Sequence, residues 1–134
     1  MIELGKDSVD LGIVTANEEA MVQFYRDQLG LVEEPSTPFP GGGTMRRLRC
    51  GTSLIKVVVP AEAPSATPAP GPIPRASGYR YWTMTVTNLE DIMSKLEASG
   101  VTIRVPITEV RPGVTIGMVE DPDGNWVEFL ETAS

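Results

Sequence analysis

Apolar and polar residues alternate along this 134-residue chain at two spacings, and the two spacings appear in the same order twice. Val9 to Thr15 carries the period of two that predicts a strand. Asn17 follows as a helix cap with Glu18 and Glu19 in the first turn, the helix runs to about Gln28, and Gly30 stops it. Three more strands are predicted at Leu31–Glu34, Thr44–Cys50 and Ser53–Val59. The second half repeats the series: a strand at Tyr79–Thr87, Asn88 capping a helix with Leu89, Met93 and Leu96, a stop at Gly100, and strands at Thr102–Pro106, Val114–Glu120 and Asn125–Glu131.

A pattern that repeats at a fixed interval shows how an architecture is built. Here it predicts an α+β fold of two βαβββ modules, residues 1–60 and 78–134, within a single domain 1–134. The stretch between them, AEAPSATPAPGPIPRAS (61–77), is rich in proline, which resists both helix and sheet and favours an extended connection. It reads first as a linker; the alternative is a lid over a site. Gly41, Gly42 and Gly43 lack the strand–loop–helix setting and the lysine of a phosphate loop and read as a hairpin connection.

Charge and composition narrow the function. With 18 acidic against 11 basic residues the net charge is -7, which argues against nucleic acid and anionic membrane surfaces as partners. The basic cluster Arg46–Arg49 falls in a strand, where sheet surface comes before anion contact. No apolar run approaches the roughly 20 residues a membrane helix needs. A lone Cys50 and the lack of a charged-then-apolar leader point to a soluble, cytoplasmic protein without disulfides. The chain has no histidine, which removes Ser-His-Asp and Cys-His nucleophilic chemistry.

The closing segment DPDGNWVEFLE, Asp121 to Glu131, pairs a dense turn with an apolar strand that contains Glu128. A carboxylate in such a strand needs a cation, a hydrogen bond or a proton.

Taken with FYRDQLGL (Phe24 to Leu31) and the doubled βαβββ pattern, this segment resembles the vicinal oxygen chelate superfamily of glyoxalases, bleomycin resistance proteins and extradiol dioxygenases. The resemblance implies a curled eight-stranded cup with helices outside and the ligand inside, and a homodimer, sometimes with modules exchanged between chains. Metal-dependent members present one ligand from the first and one from the last strand of each module. The corresponding positions here are Asp10, Lys56, Tyr81 and Glu128. A lysine ammonium offers a metal neither lone pair nor compatible charge, so no metal and no other cofactor is expected. The alternative is a weak hard-cation site made by the two carboxylates and the phenol. Lys56 is expected instead to stand in for the metal and pair with Glu128, with Asp10 or Tyr81 completing the hydrogen bonds.

Alternation sorts the neighbours. Leu54 and Val58 share a face with Lys56; Trp126 and Leu130 with Glu128; Tyr79, Thr83 and Thr85 with Tyr81; Ser8, Gly12 and Val14 with Asp10. Leu11, Ile13, Trp82, Met84 and Phe129 are expected to face the helices. Candidate catalytic residues are thus Glu128, Asp10, Lys56 and Tyr81, and candidate ligand-binding residues Trp126, Tyr79, Leu54, Val58 and Leu130. The expected partner is a small organic molecule, aromatic or cationic, bound without a metal. The alternative is a metal-independent isomerase, lyase or cyclase with Glu128 or Asp10 as base and Lys56 or Tyr81 steadying an enolate. The missing histidines argue against a metal-dependent glyoxalase or dioxygenase.

Overall fold

The computed structural model describes residues 1–133. They form two compact units, Met1–Thr67 and the chain from Pro68 onward. The first unit runs β1 (Leu11–Val14), α1 (Glu18–Val22, continued by a wider π-helical stretch Gln23–Gln28), β2 (Val32–Pro38), β3 (Gly43–Cys50) and β4 (Ser53–Pro60). The second runs β5 (Tyr81–Thr85), α2 (Leu89–Ala98), β6 (Ile103–Arg111), β7 (Val114–Glu120) and β8 (Trp126–Thr132), after a short turn of 3-10 helix at Ile73–Arg75. The expected α+β class and the two βαβββ modules are both present.

Both sheets have one topology, with spatial order β1-β4-β3-β2 in the first unit and β5-β8-β7-β6 in the second. The first and last strands of each unit pair in parallel and the other pairs are antiparallel. The edge strand β2 extends past its expected end through Pro35 and Pro38, and β6 runs on from its expected end at Pro106 to Arg111. An edge has one side without ladder partners, so a missing N–H there costs little.

Each helix covers one sheet face. In the first unit Met21, Val22, Phe24 and Tyr25 are buried with Leu48, Ile55 and Val57, and the Phe24 and Tyr25 rings meet edge to face with centroids 4.8 Å apart. In the second, Leu89, Met93 and Leu96 are buried with Val119, Val127 and Phe129. Burying such side chains contributes roughly 1.5–3 kcal/mol each. Gly100 ends α2 as expected: its N–H reaches the Glu97 carbonyl and the Val101 N–H reaches that of Leu96, an arrangement that needs its φ of 85°.

The start of α2 differs from expectation. Asn88 sits at the cap position without a side-chain cap bond, and Oε1 of Glu131 on β8 instead accepts the Leu89 N–H at 2.9 Å. Among the described residues no helix is long and apolar enough to cross a membrane.

Candidate functional site

The turn that starts β8 is built by its own first residue. Asp121 is 4% exposed; its Oδ1 accepts the N–H groups of Asp123 (3.0 Å) and Asn125 (2.9 Å), and its Oδ2 accepts Asn125 Nδ2 (2.9 Å). The closed turn fixes the β7–β8 register, which pairs Glu120 with Trp126, Met118 with Glu128 and Ile116 with Leu130. Val127 and Phe129 go to the helix side, so Trp126, Glu128 and Leu130 stand on the opposite, open face. Parallel pairing places Tyr81 beside Trp126 and Thr83 beside Glu128 on that face. Thr83 Oγ1 donates to Glu128 Oε1 at 2.6 Å. Glu128 therefore has the hydrogen bond that its half-buried position requires.

Tyr79 lies outside β5 and is fully exposed, because the strand begins two residues later than expected. Sheet alternation does not reach it.

In the first unit, Ile55 and Val57 face the helix, leaving Leu54, Lys56 and Val58 on the open side. The register pairs Gly12 with Lys56, which brings Asp10, just ahead of β1, to the level of Leu54. Asp10 Oδ1 accepts Lys6 Nζ at 2.6 Å and the Leu54 N–H at 2.8 Å, and Lys56 Nζ lies 4.0 Å from its Oδ2. The Lys6 hydrogen bond, followed by the Leu54 N–H, holds the Asp10 carboxyl below its ordinary range. A carboxylate so stabilised is a weak base. The partners of Lys56 and Glu128 described here, Asp10 and Thr83, both come from their own units.

Alternation also divides the basic cluster on β3. Arg46 turns to the helix side, where Nε meets Glu33 Oε2 at 2.6 Å and Nη1 meets Glu18 Oε2 at 2.9 Å. Arg47 and Arg49 take the open side and pair with Glu34 at 3.6 and 3.0 Å. All three arginines lie on β3 and face carboxylates of their own unit. Burial pushes the Cys50 thiol up, so it is a poor nucleophile.

The donor chemistry does not fit a divalent ion. Lys56 brings a positive charge, Asp10 already receives Lys6 and a backbone N–H, and among the described residues no three His, Cys, Asp or Glu side chains gather into a metal-binding group. A cleft at the start of α2, lined by Thr87, Asn88, Glu90, Asp91, Ser94 and Glu131, contains none of the residues chosen from the sequence.

Several open-face residues were not singled out from the sequence. Ile116 (8% exposed) and Met118 (3%) line it beside Leu130 and Glu128, and counting outward from the DPDGN turn would have found them. Arg104 on β6 lies with its guanidinium 5.9 Å from the Trp126 ring centre and is anchored to Glu120 at 2.7 Å.

The family model of the Glyoxalase/Bleomycin resistance protein/Dioxygenase superfamily matches residues 9–129. The chain belongs to this superfamily. No curated protein matches its sequence. Among solved structures it is similar to a glyoxalase family protein from Bacillus cereus, at TM-score 0.80 and 16% identity over 98% of this chain and 100% of that one. The trypanothione-dependent glyoxalase I of Leishmania major gives 0.73 and 18% over 94% and 86%. An antibiotic binding protein from a Streptomyces species gives 0.66 and 15% over 98% and 100%. At these identities the structural likeness speaks for the glyoxalase fold alone.

Proposed function

We propose that this superfamily member binds a small organic molecule without the help of a metal ion. The observation that carries the reading is the state of the positions where metal-dependent relatives place their ligands. Asp10 receives Lys6 and the Leu54 N–H and lies 4.0 Å from Lys56, and Glu128 receives Thr83. These groups are satisfied as organic hydrogen-bond and ion-pair partners. The face of the second sheet turned away from its helix adds Tyr81, Trp126 and Leu130, a set that suits an aromatic or amphipathic ligand. The similarity to an antibiotic binding protein agrees with sequestration as the task.

Elemental analysis of the purified protein is expected to find no stoichiometric metal, and mass spectrometry of denatured protein from a native purification to find a small organic molecule returned unchanged. Near-stoichiometric Ni, Zn, Fe or Mn would overturn the metal-free reading. Trp126→Ala should weaken retention of that molecule at least about tenfold, the scale of losing one buried aromatic contact.

A second reading, a metal-free isomerase, lyase or cyclase, rests on Glu128. It is half-buried in an apolar strand and accepts the Thr83 hydroxyl, whereas the ionised form of Asp10 is held by a lysine. If the bound molecule is converted, Glu128→Gln should lower kcat by roughly 100-fold or more. Conversion unaffected by Glu128→Gln would rule out this carboxylate as the base.

A further inference from the structure

The proline-rich stretch before β5 does not lie loose. Pro68, Pro70, Pro72 and Pro74 alternate there, so every second residue lacks an N–H and the segment cannot tie itself down as a strand would. Its carbonyls are gathered by one side chain instead. Arg80 Nε donates to the Ile73 carbonyl at 2.9 Å, Nη1 to Ala69 at 3.1 Å, and Nη2 to Pro70 at 2.9 Å and Pro72 at 3.1 Å. A guanidinium, with five donors in a rigid fork, suits this task as an ammonium would not.

The clamped stretch lies directly on the indole that the sequence marks as a ligand contact. A Cβ at Gly71 would fall 2.5 Å from Trp126 Nε1 and 2.6 Å from Cε2 and Cζ2, so only glycine permits the approach. The contact nevertheless leaves the indole poorly served. Trp126 Nε1 is buried with no hydrogen-bond partner among the described residues, a cost that a fully satisfied core contact would not carry. Gly71 thus sits against the Nε1, Cε2 and Cζ2 side of the indole, while Arg104 stands 5.9 Å from the ring centre.

We propose that residues Ala69–Arg75 form a strap closed over Trp126 and latched by Arg80, which swings aside to let a planar, acceptor-bearing molecule take the indole surface. The ligand class rests on the binding function proposed above; the closure and its latch do not. Opening exchanges four charge-assisted hydrogen bonds to carbonyls for contacts of the same carbonyls with water, and gives Nε1 access to an acceptor. Gly71 then sets whether the closed form exists, and Arg80 sets how often it opens.

The test uses the full chain carrying Trp82→Phe, so that Trp126 is the one tryptophan and is excited selectively beyond the tyrosine absorption. Acrylamide should quench its fluorescence weakly in this parent, and Arg80→Ala and Gly71→Ala should each raise the quenching constant about threefold or more by populating the open form. Quinoline, a planar bicycle with a nitrogen acceptor, should bind Arg80→Ala about threefold or more tighter than the parent, since apparent affinity rises with the competent fraction. Equal quenching in parent and both variants would overturn the strap. Raised quenching with no gain in quinoline binding would overturn its role in admission. Loss of the co-purified molecule alone would count against the proposed function and leave the quenching result standing.

Discussion

Asp121→Ala should lower the unfolding free energy by about 3 kcal/mol, because the substitution strands two backbone N–H groups and one side-chain amide, each costing on the order of 1 kcal/mol. The carboxylate is 4% exposed, so water does not replace it without rearrangement of the turn. The turn also fixes the register that puts Trp126 and Glu128 on the open face. Asp121→Asn keeps an acceptor for Asp123 and Asn125 but sets an amide against Asn125 Nδ2, and should lose about half as much. Urea unfolding followed by circular dichroism measures both variants. A loss below about 1 kcal/mol for the alanine variant would show that the turn holds without its carboxylate.

Arg46→Met should cost about 2 kcal/mol, somewhat less than breaking a fully buried pair because Arg46 and its partners keep some contact with water. The Arg46 side chain is 17% exposed, Glu33 23% and Glu18 35%, and methionine preserves the packing of the stem while removing the charge. The loss has a pH signature. The Arg46 hydrogen bond, the largest cause, holds the Glu33 carboxyl below its ordinary range. A folded value below the unfolded one means stability that is complete above the ordinary carboxylate pKa of about 4.3 and lost as pH falls through the lowered value. The parent should therefore weaken in acid more steeply than Arg46→Met. Parallel acid limbs in unfolding experiments at pH 6 down to 2.5 would show that the pair contributes nothing.

The fold was legible because local rules suffice for it. Val9 to Thr15 alternates with the strand period, Trp126 to Leu130 is a largely apolar run after a dense turn, and Gly30 and Gly100 supply the positive φ where the helices stop. The family followed from the FYRDQLGL and DPDGNWVEFLE segments, and the matched span covers the first whole and the second as far as Phe129. Strand ends were less legible: proline at 35, 38 and 106 signals a break unless the strand is known to be an edge, and edge position is set by the tertiary structure.

The site was read only in part. Alternation sorted Leu54, Lys56 and Val58 from Ile55 and Val57 correctly, since a period of two needs no partner. Choosing the partner of a charge does need one. That Asp10 meets Lys6, that Glu128 meets Thr83, and that Arg80 gathers the carbonyls of a distant proline run depend on how loops and strands come together. Nothing in the local sequence marks Gly71 as the residue resting on Trp126.

The latch of the strap also decides what a cut upstream of it leaves in place. Residues 61–70 are exposed throughout, yet no lysine or arginine occurs between Lys56 and Arg75, so trypsin has no site there. A glutamate-specific protease has one, at Glu62, upstream of every carbonyl that Arg80 holds. Nicking at that bond would leave the strap as a tethered N-terminal arm of the second unit, still fastened over its tryptophan.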